Sequence, residues 1–171
     1  MTVSQFPTNQ DLDPQRLREA FGAFPSGVVA VAAEVDGALV GLAASSFTSV
    51  SLEPALVSIS VANSSQTWPT LRQAGHLGVS ILADHHGEVC RRLAGPLEHR
   101  FDGLAVTTTP EGAVLLDDGL ARFDCTVHRE VEAGDHTIVL LELHGVEHPA
   151  PDDASSSPLV FHRSGFGRLA G

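Results

Sequence analysis

From Val29 the apolar residues recur at every second position. Val29, Val31, Ala33 and Val35 alternate into Asp36-Gly37, a pair that favours a tight hairpin turn, and the chain returns through Leu39 to Phe47. A period of two sends alternate side chains to opposite faces, so this segment reads as sheet with one face buried. The pattern recurs. Val57, Ile59 and Val61 alternate with Ser58 and Ser60, and Leu77, Val79 and Ile81 form another run. Phe123, Cys125 and Val127 precede Gly134-Asp135, which suits a turn, and Thr137, Val139, Leu141 and Leu143 follow it. A polar loop over 149–158 leads to a last short strand, Leu159-Val160-Phe161.

Helical signals are short by comparison. Asp13-Pro14 reads as an N-cap with proline at the first helical position, and Leu17, Ala20, Phe21 and Phe24 make one apolar stripe that ends at Pro25-Ser26-Gly27. Pro69 opens a second helix closed by Gly75, and Asp84 caps a third with Val89 and Leu93 on its inner side. Antiparallel strands with a few short peripheral helices predict a mainly β domain, a barrel closed on itself because closure removes sheet edges.

The 171 residues fit one domain, 13–171, behind a polar lead-in over 1–12. With 43% hydrophobic residues the chain is no disordered segment, and no apolar run is long enough to span a bilayer. The polar start carries no signal-peptide pattern, so the expected location is cytoplasmic, away from membranes. Ten Lys+Arg against 21 Asp+Glu give a net charge of −11, a field that repels phosphate backbones and argues against nucleic acid. Any nucleotide must then be held by local donors. Cys90 and Cys125 show no CxxC spacing and read as buried thiols.

Four places could carry chemistry. Ser45, Ser46, Thr48, Ser49 and Ser51 surround Phe47 and Val50 with hydroxyls, offering oxygens and reachable backbone N–H groups to one flat ligand; a polar strand and turn is the plainer reading. Asn63-Ser64-Ser65-Gln66-Thr67 precedes a helix start, where an anion or simple N-capping both fit. Arg100-Phe101 offers one of few cations, able to grip phosphate with a fork of N–H groups. Gly134-Asp135-His136 places a histidine just past a turn. His86 and Cys90, four apart, with His85 beside them, lack further ligands at zinc-finger or HExxH spacing, so no metal is expected. There is no GxGxxG, Walker A or GxSxG motif.

Taken in order, these segments resemble the flavin reductase-like family, the reductase components of two-component flavin-dependent monooxygenases. Residues 21–28 are similar to its opening segment, and Ala44-Ser45-Ser46-Phe47-Thr48-Ser49-Val50-Ser51-Leu52-Glu53-Pro54 is close to its most specific signature. Ser64-Ser65 with Thr67, residues 78–82, Arg100-Phe101, Gly134-Asp135-His136 and Pro158-Leu159-Val160-Phe161 with Ser164-Gly165-Phe166 follow in the family's order, over about residues 16–168. The stretch before Arg100 reads Pro-Leu-Glu-His, without the Asp often found there.

The resemblance implies an FMN-binding split β-barrel of Greek-key type, usually a homodimer. It implies an NAD(P)H:flavin oxidoreductase that reduces FMN or FAD, FMN slightly favoured, with NADH or NADPH as hydride donor, and passes diffusible reduced flavin to a separate monooxygenase. Residues 45–51 would contact the isoalloxazine ring and ribityl chain; Ser64, Ser65, Thr67 and Arg100, with Phe101 beside it, would stand at the phosphate end. His136 would lie beside the nicotinamide and Phe166 near the flavin. Direct hydride transfer needs no protein nucleophile, in keeping with the missing triad and metal motifs. The rival readings are a non-catalytic flavin- or haem-binding split barrel, a pyridoxamine-phosphate-oxidase-like enzyme, for which the chain is too acidic, and a purely structural dimerisation domain.

Overall fold

A computed structural model describes residues 12–148 and 157–169, so most of the lead-in and of the 149–158 loop lie outside the described residues. Helix α1 spans Pro14–Phe21, and Asp13 caps it, its carboxylate accepting from the backbone N–H of Gln15 and Arg16 at 3.0 Å each. Strands β1 (Ser26–Gly27), β2 (Val29–Val35) and β3 (Ala38–Ala44) follow, with Asp36 and Gly37 both at positive φ in the turn the sequence predicts. Then come β4 (Thr48–Leu52), β5 (Ala55–Ala62), the single turn α2 (Trp68–Leu71) and β6 (Leu77–Ile81). Asp84 opens a 3₁₀ turn, Asp84–His86, and does not itself cap α3 (Gly87–Leu93); a second such turn, Leu97–His99, delivers Arg100. The chain ends with β7 (Val106–Thr108), β8 (Val114–Leu116), β9 (Arg122–Ala133), β10 (His136–Glu147), β11 (Leu159–His162) and β12 (Gly165–Arg168).

Seven strands form one antiparallel sheet in the order β3-β2-β6-β9-β10-β5-β4. In it β9 and β10 pair as a hairpin between β6 and β5, a Greek-key arrangement. The inward residues of the alternating runs meet in one core: Val29, Val31, Ile59, Val79, Cys125, Val139 and Leu141 are all nearly inaccessible, with Trp68 and Leu71 of α2 packed on them. The outer face of β2 is buried as well, because Val28 and Ala30 pack with Leu82, Leu93, Leu116 and Leu159. Burial, with Asp124 adjacent, pushes the Cys125 thiol up to about 12, and burial also raises Cys90; both are free thiols with no disulfide between them.

Full closure, expected from the sequence, is corrected in one respect. The sheet's end strands β3 and β4 form no ladder with each other, and the barrel is split along that seam. A side chain clasps it: Ser46 Oγ accepts from Ser60 N at 2.8 Å and donates to Ser60 O at 3.0 Å. Ser46→Ala is therefore expected to cost about 1–3 kcal/mol, lowering the melting temperature by roughly 3–8 °C for a chain of this size. Ser45→Ala, at an exposed neighbour, is the control. Calorimetry finding equal midpoints for Ser46→Ala and the parent protein would refute the clasp.

The stripe on α1 meets no core in the single chain. The helix forms, but none of its residues is buried, and Phe21 and Phe24 stand 70% and 78% exposed.

Candidate functional site

Where the split end of the barrel meets α2 and the end of α3, a cleft of 470 Å³ opens. Ser45, Ser46, Ser65, Thr67, Arg100 and His136 all line it, although they come from four separate stretches of chain. Its volume lies in the range of small-ligand sites, about 300–1,000 Å³.

Arg100 dominates its electrostatics. Nε donates to Gly95 O at 2.9 Å, and Nη1 donates both to Gly41 O at 2.7 Å and to the buried Thr67 Oγ1 at 2.8 Å. Three of five N–H groups are thus fixed on the protein, while Nη2 has no partner among the described residues and no carboxylate lies within ion-pair distance. Burial lowers the guanidinium's pKa below its ordinary value, the signature of a cation short of both water and counter-charge. Gly41 leaves room for this geometry: a Cβ there would stand 2.6 Å from Phe101 Cζ and 3.0 Å from Val31 O, so a larger residue must push the Phe101 ring off β3 beside the carbonyl that holds Arg100.

The other residues divide in their roles. Ser65 Oγ accepts from the N–H of Thr67 and Trp68 at 3.3 and 3.2 Å, so the capping reading of this segment holds. Ser46 is committed to the seam. Ser45 has no hydrogen bond among the described residues. His136 opens β10 opposite Ala62, its Nδ1 2.7 Å from Asp135 Oδ1, and that bond holds the Asp135 carboxyl below its ordinary range.

Phe47, Thr48 and Ser49 face an adjoining groove of 920 Å³, which shares Ser45 and Ser46 with the cleft as a common wall. Phe101 lines a third depression of 540 Å³ on the far side of Arg100. Val50, Ser51, Ser64 and Phe166 do not line the 470 Å³ cleft. Phe166, on β12, packs against Phe161 with ring centroids 5.7 Å apart and lies under Arg91. Sequence reasoning missed Ser60 as the partner of Ser46, although its alternation with Ile59 and Val61 marked the polar face of β5. It missed Gly41 too, which no local signal marks.

Among the described residues one group could hold a metal ion, His85, His86 and Asp118, whose ligand atoms lie within 4.8 Å of one another. The buried His86 Nδ1 accepts from the backbone N–H of Ala83 at 2.9 Å. Its neutral ring therefore carries the proton on Nε2, the atom 3.0 Å from Asp118, and presents a donor there where a metal needs a lone pair. The group does not fit a cation.

A flavin nucleotide fits the cleft on its donor set: a half-buried, unneutralised fork for a phosphate, hydroxyls along one wall, and a size that holds a tricyclic ring with its side chain. Comparison with known proteins points the same way. The family model described as flavin reductase like domain matches residues 21–170. A flavin reductase of Pseudomonas putida is 39% identical over 93% of this chain and 92% of its own. The reductase component of a flavin-dependent trigonelline monooxygenase from Acinetobacter baylyi is 39% identical over 74% of this chain but 41% of its own length. The chain spans about half the length of two Rhizobium meliloti relatives as well, 56% and 52%. Among solved structures, the NADH:FAD oxidoreductase SgcE6 of Streptomyces globisporus C-1027, in complex with NAD and FAD fragments, superposes with a TM-score of 0.85 at 31% identity, covering 98% of each chain.

Proposed function

Because the chain belongs to the flavin reductase-like domain family, we propose that it is the reductase half of a two-component system, reducing a flavin nucleotide with a nicotinamide nucleotide and releasing it to a separate monooxygenase. The observation that carries the site assignment is Arg100, a half-buried guanidinium with two N–H groups unused and no counter-ion, at the end of a cleft of hydroxyls.

Bound flavin accepts a hydride directly from the nicotinamide, so the chain's work is to hold and orient two rings. Arg100 grips the phosphate end through Nη2, kept in place by Gly41, Gly95 and Thr67. Ser45 and the backbone of 45–49 offer donors to the polar edge of the ring, where negative charge grows on reduction. Ser65 holds the 65–68 backbone in shape beneath the phosphate. His136, tied to Asp135, orients the nicotinamide amide and is not needed as a proton donor.

FMN is the better fit. The adenylyl half of FAD, continuing past Arg100, enters the depression lined by Glu98 and Asp102, whose charge opposes a second phosphate. A homodimer is supported by Val50 and Leu52, 49% and 97% exposed on the edge strand β4. Among the described residues no helix is long and apolar enough to cross a membrane.

The test is anaerobic. Pure protein is mixed with FMN or FAD and with NADH or NADPH, and the flavin's visible absorbance is followed. Catalysed bleaching, faster with FMN, is the expected result. Four traces no faster than protein-free controls would end the proposal.

A further inference from the structure

Helix α2 is a single turn, Trp68–Leu71, too short to hold a helical shape by itself. Its placement matters because the residue before it, Thr67, reaches the flavin cleft. Thr67 gives α2 no side-chain cap; its buried Oγ1 accepts from Arg100 Nη1 at 2.8 Å instead. Trp68 and Leu71 anchor the turn in the core, but apolar contact has no direction and does not fix how the turn is rotated.

Glu130, near the end of β9, supplies the direction. Its Oε1 accepts from Trp68 Nε1 at 2.8 Å and its Oε2 from Arg72 Nη2 at 2.6 Å. These two partners stand four positions apart on one face of the turn, so a single carboxylate grips α2 at its first residue and at its C-cap. Trp68 is buried, and a buried indole N–H is costly to leave without an acceptor. Glu130 itself stands on a fastened base. At the tip of the same hairpin Asn63 Nδ2 donates to Gly134 O at 3.1 Å, Asn63 N donates to Asp135 O at 2.9 Å, and Asn63 Oδ1 accepts from Thr137 Oγ1 at 3.0 Å. Yet Glu130 does not line the cleft, and no motif in the sequence marks it.

We propose that Glu130 is a positioning residue for the flavin phosphate, acting through Trp68 on Thr67 and through Thr67 on Arg100. Arg100 Nη1 is shared between Gly41 O and Thr67 Oγ1, so the place of Thr67 decides how the Nη2 edge of the fork is aimed. Without Glu130 the α2 turn keeps its apolar anchors and loses its rotational stop. Thr67 then drifts, and Arg100 is left to Gly95 and Gly41. This assignment rests on the flavin site proposed above and names a residue outside that site which tunes its affinity for phosphate.

The test titrates the full chain with FMN and with riboflavin, which lacks the phosphate, and follows flavin fluorescence. Glu130→Ala should weaken FMN binding by roughly tenfold, as for one misaimed hydrogen bond to a charged group, and leave riboflavin affinity unchanged. Glu130→Gln keeps an acceptor for the indole and gives up only the ion pair to the exposed Arg72, so it should recover most of the loss. Trp68→Phe keeps a buried ring and removes the indole N–H. It should lose FMN affinity in the same way, and adding Glu130→Ala to it should change nothing further. A Glu130→Ala protein that discriminates FMN from riboflavin as the parent does overturns the proposal, whatever its melting temperature, and makes the residue a structural tie. Losses that simply add in the double variant overturn it as well. Should Glu130→Ala yield no folded protein, Trp68→Phe decides alone, and parent-like discrimination there overturns the proposal. A parent that binds the two flavins equally refutes the phosphate site, and one that binds neither refutes the flavin reading; the role of Glu130 falls with either.

Discussion

Gly78→Ala is expected to leave almost no folded protein. Gly78 lies in the middle of β6, buried, with the β7–β8 hairpin laid directly over it. A Cβ at this position would stand 2.0 Å from Val114 O, 2.5 Å from Val114 C and 2.9 Å from Val114 N. All three are backbone atoms, so no rotamer change relieves the overlap. The strand β8 is fixed from both sides: Leu116 N donates to the buried Ser80 Oγ at 3.0 Å, and Ala113 bridges to Ala33 of β2. Overpacking a core costs about 1–3 kcal/mol when side chains can yield. Here β8 must leave β6, uncovering Val114, Leu115 and Leu116, all buried. The loss should exceed about 4 kcal/mol, a large part of the roughly 5–15 kcal/mol that holds an ordinary domain together. Urea unfolding of whatever soluble fraction remains, beside Gly75→Ala as a control with nothing within 4 Å of its Cβ, gives the answer. A Gly78→Ala midpoint equivalent to within about 1 kcal/mol of the parent would show that the hairpin is free to move.

The same hairpin shows where the sequence falls silent. The barrel strands were legible because each has one buried face: in β5 the buried positions are Val57, Ile59 and Val61, with the serines between them less so. β8 is three residues long and buried throughout, and β7 pairs with it over only three positions, so neither carries a period to read. β12, Gly165–Arg168, is exposed along its length and offers no apolar pattern at all. The α1 stripe was legible as a helix but not as a surface, since periodicity reports what shares a face and not what that face meets. In the site, Thr67 and Arg100 are 33 positions apart, and nothing in their spacing says that one hydroxyl holds the other's guanidinium. Their convergence was expected only through the order of family motifs. That same order implies Phe166 near the flavin; in the single chain its ring packs on Phe161 and under Arg91. Ser46, which that order treats as a ligand contact, lines the cleft while its hydroxyl exchanges two hydrogen bonds with Ser60, leaving one lone pair.

Arg100→Ala should abolish tight binding of phosphorylated flavin while sparing the ring. The guanidinium remains charged at neutral pH in spite of the lowering caused by burial, because an arginine begins so far above it. Two Nη2 donors to a phosphate, each a charge-assisted bond of about 1.5–3 kcal/mol, amount to a loss of FMN affinity of about 100-fold or more. The substitution also releases Gly41 O and Thr67 Oγ1 from their shared donor, so a local loosening must be separated from the loss of the phosphate contact. Riboflavin separates them, since it keeps the ring and ribityl chain and lacks the phosphate. The parent protein should bind FMN far better than riboflavin, and Arg100→Ala should bring the two affinities together by weakening FMN alone. Arg100→Lys should fall between, because an ammonium keeps the charge but cannot span Gly95, Gly41 and Thr67 while still presenting a second pair of N–H groups to the ligand. Fluorescence titration of the three proteins with the two flavins gives six dissociation constants. If Arg100→Ala weakened riboflavin as much as FMN, the arginine would be a structural tie between β3, α2 and the 95–100 turn, and the phosphate would have to be held elsewhere.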